Sequence, residues 1–283
     1  MSTTTLDLRR PVAPLRKYFK IFRASLVERL TYRADFLIGT FLRFLPILTT
    51  ILLWKAVFDG SGKSSIGGFT YEDTIAYLLL VNISRMFSSM PGLAGGIARD
   101  IRDGSLKKYL LQPIDLIHYL VAYRAAHKVS YIVSSALPYA VLFGICHHYF
   151  AGRVPTDPVT WLAYLTSLVL AFFIGFYFEV AVGMVGFWFL EVTSLLYIVM
   201  TLNFFVSGHM FPLDLLPPPW ATLMKALPFQ YMAYFPAVVF LGKVHGHDLA
   251  IGLAIELFWA VAFAWLARWM YHRGLKRYGA YGG

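Results

Sequence analysis

The chain has 283 residues, 58% of them hydrophobic and 14% charged. Soluble domains carry roughly 25% charged residues, so the composition excludes a soluble enzyme or binding domain and predicts an all-α integral membrane protein. The net charge of +10 would suit nucleic acid, but the basic residues gather between apolar runs, and no nucleic-acid partner is expected. A single cysteine, Cys146, excludes an intrachain disulfide and a cysteine-based metal cluster. No cleavable signal peptide is read, because the polar, basic start leads into an apolar run too long for a signal core.

Taken in order, residues 1–14 lack periodicity and are expected to form a mobile tail. Over 15–33, Leu15, Phe19, Phe22, Leu26 and Leu30 share one helical face and Arg16, Lys17, Lys20 and Arg23 another. That pattern suits a helix lying in the headgroup plane of an anionic leaflet, and equally a helix packed on a partner protein. Residues 34–283 then hold six apolar segments, each a candidate span. The first runs from Phe36 to Phe58, the second from Thr74 to Leu93 and the third from Val129 to Tyr149. Val159 to Phe205 fits two more with a turn near Trp188 to Glu191, and the sixth is Leu249 to Met270. Four charges fall inside them: Arg43, Arg85, Glu179 and Glu256. Depth along the segments pairs Arg85 with Glu256 and Arg43 with Glu179, within one subunit or across a dimer, because an unpartnered charge in a membrane is costly.

The basic residues set the orientation. Of 25 Lys and Arg, eight precede the first span, six lie in the connection 97–128 and four near the C-terminal end. This bias predicts a multi-pass protein of a bacterial-type inner or plasma membrane with both termini cytoplasmic.

Between the last two segments the chain reads SGHMFPLDLLPPPWATLMKALPFQ, with prolines at Pro212, Pro217, Pro218, Pro219 and Pro228. Proline removes a backbone donor and clashes with the preceding turn, so no continuous helix can pass. A short helix is expected over Trp220–Leu227 with Pro219 in its first turn. Its apolar stripe fits a hairpin over 207–241 that dips into the membrane from outside, and equally a loop resting on the lipid interface. On the opposite side, Asp103-Gly104 signals a turn, and Ser105–Leu111 a short helix stopped before Pro113.

Two motifs carry no chemistry. Gly60-Ser61-Gly62-Lys63-Ser64 ends like a phosphate-binding loop, but Val57 stands where the first glycine is required and no strand precedes it. No ATP site is expected on this chain. His147-His148, His209 and His245-x-His247-Asp248 all fall on the outer side, where interfacial histidines are commoner than a zinc site. No nucleophile–base pair stands near them, so no catalytic residue is assigned.

Three stretches carry a resemblance: the basic amphipathic helix leading into Tyr32-Arg-Ala-Asp-Phe36, the connection RDIRDGSLKKYLLQP, and SGHMFPLDLLPPPW followed by LPFQY. Together they resemble the permease subunits of ABC exporters of the second type, over nearly the whole chain. The run of three prolines and the charges inside the helices depart from that pattern. The resemblance implies six transmembrane helices, an outer re-entrant hairpin between the fifth and sixth, and a dimer with an identical or related permease. It also implies a separate ATPase subunit, carrying ATP and magnesium, docked on the amphipathic helix and the first cytoplasmic connection. The chain itself would then be no enzyme and hold no cofactor. On this reading Arg99, Arg102, Gly104, Leu110 and Pro113 serve coupling, and Phe211, Pro212, Pro219, Trp220 and Pro228 the outer gate. The cargo is expected to be amphipathic or hydrophobic (a drug, lipid or glycoconjugate), from Phe87, Met90, Phe187, Phe189, Met200, Phe204 and Phe205. An ion-coupled carrier or channel using the four intramembrane charges is the alternative.

Overall fold

Apolar runs closed off by capping side chains and prolines form the helices of the described residues. A computed structural model describes residues 14–30, 44–189 and 191–278. The N-terminal tail, the Tyr32–Phe36 motif, the start of the first apolar segment and Arg43 lie outside the described residues. Among those described there is no strand, only one isolated bridge between Ile66 and Phe69. The helices are α1 Pro14–Leu30, α2 Phe44–Ser61, α3 Tyr71–Ser88, α4 Leu93–Arg102, α5 Lys107–Leu110 and α6 Leu116–Ile145. They continue with α7 Pro158–Met184, α8 Thr193–Val206, α9 Pro218–Ala226, α10 Tyr234–Phe240 and α11 Gly246–Tyr278.

Local chemistry explains most boundaries. Thr70 and Asp73 form a reciprocal capping box at the start of α3. Asp115 accepts from the His118 amide at 2.9 Å and Asp157 from the Thr160 amide at 2.7 Å, opening α6 and α7. Asp115 corrects one expectation: the helix expected from Val129 begins thirteen residues earlier, at Leu116, because no breaker separates that cap from the apolar run. The connection is therefore shorter than 97–128, and its first part is the helix α4. The short helix expected over Ser105–Leu111 is the single turn α5. The second segment is corrected too. It ends at Ser88, with Ser89 extended ahead of Pro91, so Arg85 sits in the last turn of α3 and not near mid-helix. In the proline-rich stretch the helix starts at Pro218, not Trp220, with Pro217 as its cap. It ends at Ala226, since Leu227 must be extended before Pro228.

Three helices are long and apolar enough to cross a bilayer by length and composition: Leu116–Ile145, Pro158–Phe187 (α7 with its terminal 3₁₀ turn) and Gly246–Tyr278. The other apolar helices are shorter or more charged as described. Helix α3, 18 residues and about 27 Å long at 1.5 Å per residue, carries Glu72, Asp73 and Arg85, and α8 has 14 residues.

Helix α7 is the centre of the bundle, packing against α11, α4, α3 and α10. Its Ala171, Ile174 and Phe176 are fully buried. Close approach depends on glycine. At Gly175 a Cβ would lie 1.9 Å from the Ser88 carbonyl oxygen, and at Gly183 2.8 Å from that of Ala94. Helix α10 has every residue buried, wedged between α3 and α7. It is held by the Tyr234 amide donating to the Ser207 carbonyl at 3.1 Å and the Tyr234 hydroxyl donating to Asp214 at 2.6 Å. Ser88 Oγ donates to the Met232 carbonyl at 2.7 Å, and Tyr77 to that of Gly208, tying the segment to α3.

The two ends of the bundle differ. At one, Asp73 joins three connections, accepting from Arg153 at 2.5 Å and Lys243 at 3.3 Å. At the other, α1 lies along α6. There the Asp115 amide donates to the Tyr18 hydroxyl at 3.1 Å, Arg268 pairs with Asp115 at 2.6 Å, and Lys17 donates to the Pro113 carbonyl. Phe19 and Val27 stay exposed on the far side of α1.

Candidate functional site

Between α2, α3 and the segment after α8 lies an apolar cavity of about 300 Å³, walled by Ile47, Trp54, Leu78, Leu79, Phe204 and Phe211. A second, of about 490 Å³, opens beside it toward the basic end, lined by Arg85, Ser89, His127, Lys128 and Tyr131. Asn82 and His209 line both. A third, of about 200 Å³, reaches from Arg85 past Asn203 to Glu179. The three adjoin one another: Asn82 and His209 border the first two, and Arg85 the second and third.

Helix spacing puts Asn82 and Arg85 there, three residues apart on one face of α3. The Arg85 guanidinium lies 5.3 Å from the Phe204 ring centroid, a cation–π contact. Arg85 makes no ion pair among the described residues, which corrects the expected pairing with Glu256 within one subunit. Glu256 is fully buried on α11 and accepts from Ser167 Oγ of α7 at 3.1 Å. Glu179 accepts from the Ala94 amide at 3.3 Å, at the start of α4, where the helix dipole favours an anion. The depth argument failed because Arg85 stands in the last turn of α3 and not mid-helix, beside Glu179 of α7, whereas Glu256 meets α7 at Ser167.

Of the aromatic residues read as cargo contacts, Phe204 and Met200 line the third cavity. Met90, a core residue, borders the third cavity as well, and Phe187 is a core residue instead. Sequence reasoning missed Asn82, Asn203 and Trp54. The asparagines carried the signal, being polar amides inside apolar helices.

The coupling candidates lie together at the basic end. Arg99 is exposed, and Arg102 pairs with Asp103 at 3.1 Å and reaches Glu191 at 3.7 Å. Gly104 has φ +71°, a conformation that favours glycine, and lets Ser105 donate to Asp100 at 2.6 Å. Leu110 and Leu111 are exposed beyond it. The gate candidates stand in different settings: Phe211 lines the apolar cavity, Pro228 is buried, and Trp220 is exposed on α9. Among the described residues no group of three or more His, Cys, Asp or Glu is placed to hold a metal.

An α-helical bundle with three helices long and apolar enough to cross a bilayer defines a helical membrane protein. The profile of the ABC-2 family transporter proteins matches residues 44–282, and the chain belongs to that family. It is thus a multi-pass membrane protein and a transport permease. A comparison with curated proteins gives no match.

Proposed function

We propose that the chain is the membrane subunit of an ATP-driven exporter that moves an amphipathic or hydrophobic compound out of the cytoplasm. In this reading it spans the membrane six times with both termini cytoplasmic, and the 207–241 segment forms a re-entrant hairpin on the outer side. ATP and magnesium belong to a separate ABC ATPase docked on α1 and on the α4–α5 connection, around Arg99, Arg102, Gly104, Leu110 and Pro113. Two permease subunits, identical or related, enclose the path, and Phe211, Pro212, Pro219, Trp220 and Pro228 close it outside. The observation that carries the reading is the family match over residues 44–282, which in general implies an ABC ATPase partner. The Lys and Arg distribution supports the orientation. An ion-coupled carrier would draw on Arg85 and Glu179 lining one cavity, but family membership weighs against it.

The test is purification of the native complex. An ATP-binding protein should co-purify and carry all of the ATP hydrolysis. Specific hydrolysis by this chain alone, or a complex without an ATPase, would refute the proposal.

A further inference from the structure

At its basic end α11 has two opposite faces of different character. Ala267, Tyr271, Gly274 and Tyr278 are buried and recur at helical spacing, so this stripe packs on protein. Gly274 rests against the Phe187 ring, where an added Cβ would lie 2.1 Å from a ring carbon, and that contact fixes the rotation of the helix. The opposite stripe is Trp265, Arg268, Trp269, His272, Arg273 and Lys276, again at helical spacing. These six residues line a cavity of about 290 Å³. Trp265 and Trp269 are 67% and 44% exposed, and their rings stack with centroids 6.5 Å apart. The Arg273 guanidinium lies 5.7 Å from the Trp269 ring centroid. His272, Arg273 and Lys276 are exposed. Arg268 is engaged within the protein, pairing with Asp115, the cap of α6, at 2.6 Å.

Depth decides what can cover this stripe. Helix α11 is long and apolar enough to cross a bilayer, and its apolar run starts at Leu249, just after Asp248. Trp269 lies about 30 Å farther along the helix, the thickness of the hydrocarbon core, roughly 30 Å. The tryptophan pair therefore sits at the membrane boundary, where amphipathic rings collect. Arg273 lies about 6 Å beyond Trp269 and Lys276 about 10 Å, at the level of the headgroups, and the Lys276 stem is long enough to reach back toward them. A soluble partner could meet the cations but not Trp265, which faces the acyl chains. A phospholipid spans both levels. The exposed cations complement a headgroup with net negative charge, and the Arg273 fork suits two phosphate oxygens.

We infer that the basic end of α11 carries a binding site for an anionic phospholipid of the surrounding leaflet. Its phosphate sits at Arg273 and Lys276, and its glycerol and first acyl carbons lie against Trp265 and Trp269. The site goes beyond the export reading and does not depend on it, since it requires only that α11 cross the membrane. Basic pockets at the ends of membrane helices hold anionic headgroups by the same attraction.

The test uses the full-length protein in phosphatidylcholine nanodiscs with trace amounts of two photoactivatable lipids. One is a phosphatidylglycerol and the other a phosphatidylcholine, each with the same diazirine near the top of one acyl chain. Mass spectrometry locates the cross-links. The phosphatidylglycerol probe should label residues 265–276 at least about fivefold more than the other, the worth of one basic residue near an anionic surface. Unlabelled phosphatidylglycerol should compete. Arg273→Gln combined with Lys276→Gln should bring the ratio close to one, whereas Arg277→Gln, an exposed cation that does not line the cavity, should leave it unchanged. Equal labelling by the two probes would reduce the stripe to an ordinary lipid-facing surface and overturn the inference. So would an unaltered ratio in the double variant. Absence of labelling by either probe would mean that protein covers this face, a second copy or another subunit, and would overturn it too. The comparison of the two lipids on the unmodified protein decides the matter even if the double variant does not fold.

Discussion

Replacing Gly175 with alanine tests whether α7 organises the bundle by close contact. An added Cβ would sit 1.9 Å from the Ser88 carbonyl oxygen and 2.8 Å from its carbon. Unstrained carbon–oxygen contacts lie near ~3.3 Å, so α3 and α7 must part by more than about 1 Å. The obstructing atoms are main chain at the end of α3 and cannot rotate away. Ser88 is also anchored by its bond to the Met232 carbonyl at 2.7 Å, so the displacement spreads into the buried segment before α10. Overpacking typically costs about 1–3 kcal/mol, and the upper end applies where backbone must move. Alanine for glycine within a helix returns about 1 kcal/mol. The net expectation is a loss of about 2 kcal/mol. Gly96→Ala in α4 is the reference, since a Cβ there meets nothing within 4 Å, and it should be neutral or mildly stabilising. Denaturation of the detergent-purified proteins, followed by circular dichroism, makes the comparison. A Gly175→Ala protein as stable as Gly96→Ala would refute the close-packing argument.

Gly104→Val should cost about 1–2 kcal/mol of backbone strain at φ +71° without a clash, because the nearest atom to a Cβ is 3.9 Å away. The protein should insert normally while transport falls several-fold, and unchanged transport would free the α4–α5 connection of any coupling role. Thr222 is exposed on α9, so a cysteine there, with Cys146 replaced, should react with an impermeant thiol reagent added outside; labelling from the cytoplasmic side alone would invert the proposed topology. Burial by itself would raise the Asp73 carboxyl, but Arg153, the Thr70 amide and Lys243 outweigh it and hold it below the usual carboxylate range. A carboxyl depressed in the folded state contributes stability above its unfolded value, near ~4, and loses it as pH falls through the folded one. Thermal stability should therefore drop in that acidic window, and Asp73→Asn should flatten the dependence; an unaltered pH profile would show that the Arg153–Asp73–Lys243 link does not matter.

Much of this protein is local in origin. Asp115, Asp157-Pro158 and the Pro217–Pro219 run mark helix boundaries by chemistry acting within a few residues, and the apolar runs between them state that the chain belongs in a membrane. The motifs around Gly104 and the proline-rich stretch carried the family. What the sequence could not decide was facing. In water an apolar stripe must turn toward protein, so periodicity reveals the core. In a bilayer lipid tails are as apolar as leucine, and a stripe no longer distinguishes a neighbour from the solvent. Helix α10 reads like any short apolar run, yet it is fully enclosed. Arg85 and Glu256 meet α7 at different places, near Glu179 and at Ser167, although depth read from the sequence suggested that they meet. The close approach of α7 to the end of α3 and to α4 depends on Gly175 and Gly183. Only contacts distant in sequence could fix these placements.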